Sequence, residues 1–267
     1  MCVREVAAEG PVAEVLRQMG FEVRSDALVK VVYGRDRDIL KALREEDRPV
    51  LGVSPPGVEA RLAVADVRGL RAVRRCVKVR VPRLAAENEL GRIYAVNEVA
   101  LFASRPAVFV KYTVAVDGAP LFNDVGDGVL VATPLGSTAY AMSAGGPRIM
   151  LHAEVLEVVP VNSALRRHPH VIPLRSVVEI REAKSVEELW LIGDGSEKLR
   201  YRSPTWVYVD SFATLLLTEK GSTAEVHAPL PPSLLLVKRI LAERGPMSAA
   251  EVAQVSGLKL RTVRYAL

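Results

Sequence analysis

DGVLVATPLGSTAYAMSAGGP, residues 127–147, is the stretch on which the fold turns. The apolar run 129–132 predicts a buried strand, broken by Thr133-Pro134 and Gly136-Ser137-Thr138 before a helix-like segment. Pro134 fixes φ and Gly136 permits conformations that a side chain would block, so a tight turn is expected between them. Backbone N–H groups and the hydroxyls of Thr133, Ser137 and Thr138 could face a polar ligand there, and the dipole of the following helix would favour an anion. Tyr140 adds a flat ring and a phenol, and Gly145-Gly146-Pro147 closes the stretch with a second turn. A strand, turn and helix in which Ser and Thr merely cap would have the same composition, so chemistry alone leaves both readings open.

Outward from this stretch the chain changes texture. Towards the N-terminus, Val12, Val15, Leu16 and Met19 recur at helical spacing, and strand-like runs cover 21–23 and 27–33. Gly34 then leads into a helix carrying Ile39, Leu40 and Leu43 inward, followed by the strand 49–53. Strand, helix, strand with short links predicts a parallel sheet covered by helices, a Rossmann-like α/β domain over residues 1–75. From Val77 onward apolar and polar residues alternate, and Asp117-Gly118 and Asp194-Gly195 are hairpin dipeptides. Many strands with short turns predict an all-β sandwich over 76–226. Arg71, Arg74, Arg75, Lys78, Arg80 and Arg83 read as a solvated basic face, with a phosphate-facing patch as the second reading. A linker at 227–233 precedes a helical segment over 233–267. There Ser248 and Glu251 have capping-box spacing, and Gly257 turns into a segment bearing Lys259, Arg261 and Arg264. Helix, glycine turn and basic helix resemble a helix-turn-helix, so nucleic acid stays open as a partner beside a packing or oligomer contact.

Composition narrows the classes. With 267 residues, 49% of them hydrophobic and 5% aromatic, the chain can bury a large aliphatic core. A net charge of +5 suits nucleotide phosphates as well as nucleic acid. The two cysteines, Cys2 and Cys76, have neither metal-ligand nor disulfide-framework spacing. No apolar run would span a bilayer and no signal peptide is visible, so a soluble protein of the reducing cytoplasm is expected, without a membrane partner.

The central stretch resembles the signature of the NAD kinase family, an Asp-Gly strand running into Thr-Pro-Thr-Gly-Ser-Thr-Ala-Tyr and Ser-Ala-Gly-Gly-Pro. Here Thr133-Pro134-Leu135-Gly136-Ser137-Thr138-Ala139-Tyr140 and Ser143-Ala144-Gly145-Gly146-Pro147 match it, with Leu135 in place of a small hydroxyl residue. The resemblance implies a kinase that phosphorylates the adenosine ribose 2′-hydroxyl of NAD to give NADP, with ATP or polyphosphate as donor. Mg2+ would arrive with that donor, held mainly by its phosphates. It further implies that Asn97 and Glu98 grip NAD, that Asp127 lies at the nicotinamide end, and that Thr138, Ala139 and Tyr140 contact the adenosine beside Ser143.

The family's Gly-Gly-Asp-Gly loop, whose Asp accepts the hydroxyl proton, corresponds to Gly34-Arg35-Asp36-Arg37, so Asp36 is the implied catalytic residue. Arginines replace both glycines next to that Asp. Either Arg35 and Arg37 bind phosphates by charge-assisted hydrogen bonds, or the loop no longer cradles the donor and the chain is a sensor of NAD or NADP reporting through its C-terminal helices. A charged helix start with Asp at the favourable dipole end is the third reading. Exposed strand edges would suit a homo-oligomer, a dimer or tetramer.

Overall fold

The structure is a computed structural model and describes residues 3–73, 75–218, 237, 240, 241, 244–260 and 263. The chain forms two compact units, Met1–Ala224 and Glu225–Leu267. In the first, the order is β1 (Glu5–Val6), α1 (Pro11–Gln18), β2 (Glu22–Val23), β3 (Lys30–Tyr33), α2 (Asp36–Glu45), β4 (Val50–Ser54) and β5 (Ala63–Asp66). The strand-rich part follows with β6 (Val77–Asn88), β7 (Gly91–Ala95), β8 (Glu98–Ala103), β9 (Val110–Val116), β10 (Ala119–Gly126) and β11 (Gly128–Ala132). A 3-10 turn (Gly136–Thr138) and α3 (Tyr140–Ser143) lead to β12 (Val155–Val161), β13 (His170–Pro173), β14 (Val178–Lys184), β15 (Leu189–Gly193), β16 (Glu197–Arg200) and β17 (Thr205–Leu217). The fold is mixed α/β, mostly strand, with few helices.

The expected parallel set is present: β3 pairs with β4 and β4 with β5, all parallel. Ile39, Leu40 and Leu43 of α2 bury against Val50 and Leu215, as the helical spacing required. β17 ties this set to the strands that follow. It pairs antiparallel with β14 and along most of its length with β6, and its far end runs parallel to β4 at Leu215 and Val50. One nine-stranded sheet therefore contains both the parallel strands and half of the sandwich.

A six-stranded sheet ordered β13-β12-β11-β8-β15-β16 lies opposite. Val99, Leu101, Val129, Val131, Leu156 and Val158 point from it into the main core, where they meet Tyr112, Val114, Val178 and Val207. Because side chains alternate along a strand, its outer face carries Ala100, Leu130, Ala132, Val159 and Val161, and Ala141 of α3 packs on them. Asp117-Gly118 and Asp194-Gly195 occupy the expected hairpin turns with both residues at positive φ.

Two expectations need correction. Arg83 is buried: it caps α2 by donating to the carbonyls of Leu43 and Glu46 and pairs with Asp47 at 3.0 Å. Cationic side chains near a helix C-terminus satisfy its orphan carbonyls, so this arginine belongs to the interior and not to a solvated face. Cys76 is disulfide-bonded, against the expectation from spacing. Arg74, Cys2, the linker 227–233, Arg261 and Arg264 lie outside the described residues.

In the second unit, α4 (Ala249–Ser256) is capped as read: Ser248 Oγ accepts from the Glu251 amide at 3.3 Å, and Glu251 accepts from the Ser248 amide at 2.7 Å. Gly257 ends it at φ 70°. Val252 packs with Val237 and Val263 in a small core of its own.

Candidate active site

The pairing register assembles the site on the outer face of the six-stranded sheet. Ala132 lies opposite Glu98 on one side and Glu157 on the other, so both carboxylates share a face across a methyl group. Asn97 and Glu98 sit where β7 passes into β8, and their main chain is held from two sides. The Thr133 hydroxyl donates to Val96 O at 2.6 Å and the Thr133 amide to Asn97 O at 2.9 Å. On the other side Asp194 accepts from the amides of Val96 at 3.0 Å and Asn97 at 2.7 Å.

Gly136 is required at this point. A Cβ there would stand 2.1 Å from Asn97 O, a backbone contact that no rotamer relieves. The turn at 133–138 and the Asn97-Glu98 segment are thus one packed piece.

The hydroxyls of Thr133 and Ser137 face inward, away from the ligand-facing position expected of them. Thr133 and Ser137 are fully buried; Ser137 Oγ donates to Pro134 O at 2.8 Å and accepts from the Ile149 amide at 3.0 Å. Thr138, half-buried, turns its hydroxyl to Leu135 O at 3.3 Å. The turn spends these groups on its own closure because a buried turn must satisfy its own polar atoms. With four residues, α3 is also too short to supply much of a dipole. What the segment offers outward is half-buried Ala139, exposed Ser143 and exposed Tyr140, whose ring lies 5.9 Å from that of Phe102.

Tyr140, Phe102, Ile192, Asp127 and the loop 103–108 line an open cavity of about 330 Å³. Asp127 is half-buried and accepts from Asn162 Nδ2 at 2.6 Å. Burial raises the Tyr140 phenol pKa, and the carboxylates of Asp127 and Glu98 add to the shift. Glu98 is buried with Oε2 unpaired; desolvation first, then the charges of Asp194 and Glu157, push its pKa up to about 8. Glu157 is fully buried with both oxygens unpaired, and desolvation takes it up to about 7.

Asp36 is the first residue of α2. Its Oδ1 accepts from the Leu62 amide at 2.9 Å and its Oδ2 from the Arg61 amide at 3.1 Å. The Arg61 guanidinium in turn donates to Thr138 O at 2.8 Å, so a single residue joins the acid to the Thr138 turn. A carboxylate has four acceptor positions, and two of those on Asp36 stay available. Arg35 and Arg37 are exposed, while Gly34 is buried. Asp38 accepts from the Arg35 amide at 2.8 Å, placing a carboxylate where an anion would meet the start of the helix. Among the described residues no cluster of three or more His, Cys, Asp or Glu could hold a metal, and no helix is long and apolar enough to cross a membrane.

The family model for the ATP-NAD kinase C-terminal domain matches residues 96–213, the span that supplies Asn97, Glu98, Asp127 and Tyr140. The NAD kinase of Methanopyrus kandleri is 35% identical over 197 residues, covering 68% of each chain. That of Methanoregula boonei is 32% identical over 220 residues, covering 78% of this chain and 80% of its own.

The chain belongs to the NAD kinase family. Membership makes it an enzyme of the phosphotransferase class. An NAD kinase from Archaeoglobus fulgidus, solved in complex with ATP, has the same fold, with a TM-score of 0.69 at 23% identity over 81% of this chain and 94% of that one. Yeast NADH kinase, solved with NADH, gives 0.64 at 18% identity over 82% and 85%.

Sequence reasoning missed Arg44, Arg61, Glu157 and Asp194. A glutamate inside the apolar strand VLEVVPV was a visible signal for Glu157. Arg44 and Asp194 carried none, being separated by 150 positions.

Proposed function

We propose that this chain transfers a phosphoryl group from ATP or polyphosphate to the 2′-hydroxyl of the adenosine ribose of NAD, forming NADP. The observation that carries the reading is the short connection from Asp36 through Arg61 to the Thr138 turn, which is packed against Asn97 and Glu98. A hydroxyl donor bound between them would lie within reach of one fixed carboxylate. NAD would rest on the outer sheet face, with Tyr140 and Ala139 against the adenosine, Asn97 and Glu98 on its polar groups, and Asp127 at the nicotinamide end.

Asp36 accepts the hydroxyl proton, the 2′-oxygen forms its bond to the terminal phosphorus, and the bridging P–O bond breaks to release the shortened donor. Such transfers depend on positioning and charge neutralisation more than on covalent participation by the protein. Arg35 and Arg37 would neutralise donor phosphates in place of the bare amides of a glycine loop. Mg2+ would come with the donor and be held mainly by its phosphates. We place the activity in the cytoplasm and the exposed strand edges in a homo-oligomer.

A second reading, an NAD or NADP sensor acting on nucleic acid, is favoured by one pair of observations. Asp38 fills the anion position at the start of α2, and α4 ends at a left-handed Gly257, as the first helix and turn of a helix-turn-helix would.

The test is NADP formation by the purified chain with NAD, Mg2+ and either ATP or polyphosphate. NADP accumulation with one donor or both is expected. Binding of NAD without turnover on either donor would overturn the kinase assignment and leave the sensor.

A further inference from the structure

We infer that Arg44 and Asp194, a buried ion pair, are positioning residues that fix the Asn97-Glu98 segment relative to the acid on α2. The inference deepens the reading of the chain as a kinase of NAD and rests on it. The pair stands apart from the signature turn, and nothing in that turn requires it.

Arg44 lies in the last turn of the helix that begins at Asp36, so about eight residues at 1.5 Å rise separate the two, roughly 12 Å. Its Nη1 meets Asp194 Oδ2 at 2.7 Å, with only 5% of the Arg44 side chain and 1% of the Asp194 side chain exposed. Nη2 reaches Ser196 Oγ at 3.1 Å and Glu197 Oε1 at 3.4 Å, so the guanidinium bridges to the whole β15–β16 turn.

Asp194 uses its remaining acceptor positions on the amides of Val96 and Asn97, and its own amide donates to Glu98 O at 3.1 Å. A carboxylate buried this deeply is costly unless its lone pairs are matched, and here a guanidinium and the amides of Val96, Asn97 and Glu98 match them. Burial still pushes its pKa up, while Arg44 and the amides of Val96 and Asn97 pull the other way.

The consequence is geometric. One end of α2 presents Asp36, held by the amides of Arg61 and Leu62. The other end grips the β15–β16 turn, whose Asp194 holds the backbone amides of the segment that carries Asn97 and Glu98. A rigid helix thereby sets the spacing between the proton acceptor and the groups that would hold the dinucleotide, and small displacements of such groups have large kinetic consequences. The same contact brings a negative charge next to Glu98, whose other charged or titratable neighbours are Glu157 on β12 and Tyr140 on α3.

Three variants test the pair: Asp194→Asn, Arg44→Lys, and Arg44→Met combined with Asp194→Asn, which leaves no orphaned charge. NAD affinity by calorimetry, KM for each substrate, kcat and the unfolding temperature are measured on each. Asp194→Asn is expected to weaken NAD about ten-fold or more and to lower kcat at saturating NAD about ten-fold, with donor KM within about two-fold. Arg44→Lys should restore NAD affinity to within about three-fold of wild type, because the charge is kept. The double variant should unfold close to the wild-type temperature and still bind NAD weakly. Removing the Asp194 charge should also move the pH dependence of NAD affinity downward, a shift that a purely structural role would not give. Should Asp194→Asn fail to fold, the double variant decides. A folded variant lacking the pair that binds NAD within about two-fold of wild type would overturn the inference. Wild-type protein that bound no NAD would instead overturn the kinase reading from which it starts.

Discussion

The two ends of the site are built on different principles. At the end proposed for the dinucleotide, Asn97, the Thr133 turn and Gly136 are locked by buried main-chain hydrogen bonds and a backbone contact with no space for a methyl group. At the end proposed for the phosphate donor, Gly34, Asp36 and Asp38 shape a helix start flanked by exposed Arg35 and Arg37, and the geometry there depends on side chains. A packed end cannot change one residue without moving its neighbours, whereas an end made of exposed side chains can exchange glycine amides for guanidinium groups and keep its outline. The departure from the family pattern falls at the second end, and the comparison can be tested from both.

The largest effect is expected at the single fixed carboxylate. Asp36→Asn keeps one of the two acceptors for the Arg61 and Leu62 amides, exchanges the other for an NH2 group, and is a poor proton acceptor; kcat should fall by about 10² to 10⁴ with NAD affinity much less affected. Steady-state kinetics and calorimetry on one preparation check it, and a kcat near wild type would move the proton acceptor elsewhere. Gly136→Ala probes the locked end. Its methyl group meets Asn97 O, so a loss of about 1–3 kcal/mol in stability is expected together with loss of NAD affinity, read by denaturant unfolding and titration.

At the side-chain end Asp38→Ser should act in the opposite direction. It withdraws a negative charge from the phosphates and leaves a weaker cap on the Arg35 amide, so donor KM should fall by about three- to ten-fold without change in NAD affinity. A rise in donor KM would mean that Asp38 organises the donor site.

The smallest effect concerns pH. Folding lifts the pKa of Glu98 to about 8 and of Glu157 to about 7, both from 4.5. Between those limits the native state keeps protons that the unfolded chain has lost, so stability should be fullest below about pH 4.5 and fall as pH rises towards 8. The unfolding temperature should drop over this range, and Glu157→Met, which removes the unpaired oxygens, should shrink the drop. An identical pH profile in that variant would show Glu157 to be ionised and paired.

Much of this was legible in the sequence, and the part that was not has a common physical cause. The strand entering Thr133-Pro134, the two Asp-Gly hairpins and the α2 stripe of Ile39, Leu40 and Leu43 could be read because local periodicity and turn chemistry dictate them. The direction of the Thr133 and Ser137 hydroxyls could not, because only the packed turn decides whether a hydroxyl caps or faces out. Arg83 looked like a surface cation and instead seals the end of α2. Buried charge is indistinguishable from surface charge until its partner is known, and the partners of Arg44 and Asp194 lie far apart in the chain. The passage of β17 from sandwich to parallel sheet is likewise a long-range pairing, with Leu215 opposite both Val79 and Val50.

The account turns on Asp36 and the Asn97–Tyr140 face serving one bound molecule, and a crystal structure of the chain with NAD measures this directly. The adenosine ribose 2′-hydroxyl is predicted within hydrogen-bond reach of an Asp36 oxygen, about 2.6–3.2 Å, with the adenine against Tyr140. NAD bound on the sheet face with that hydroxyl turned away from α2, and Arg61 still closed between them, would contradict it.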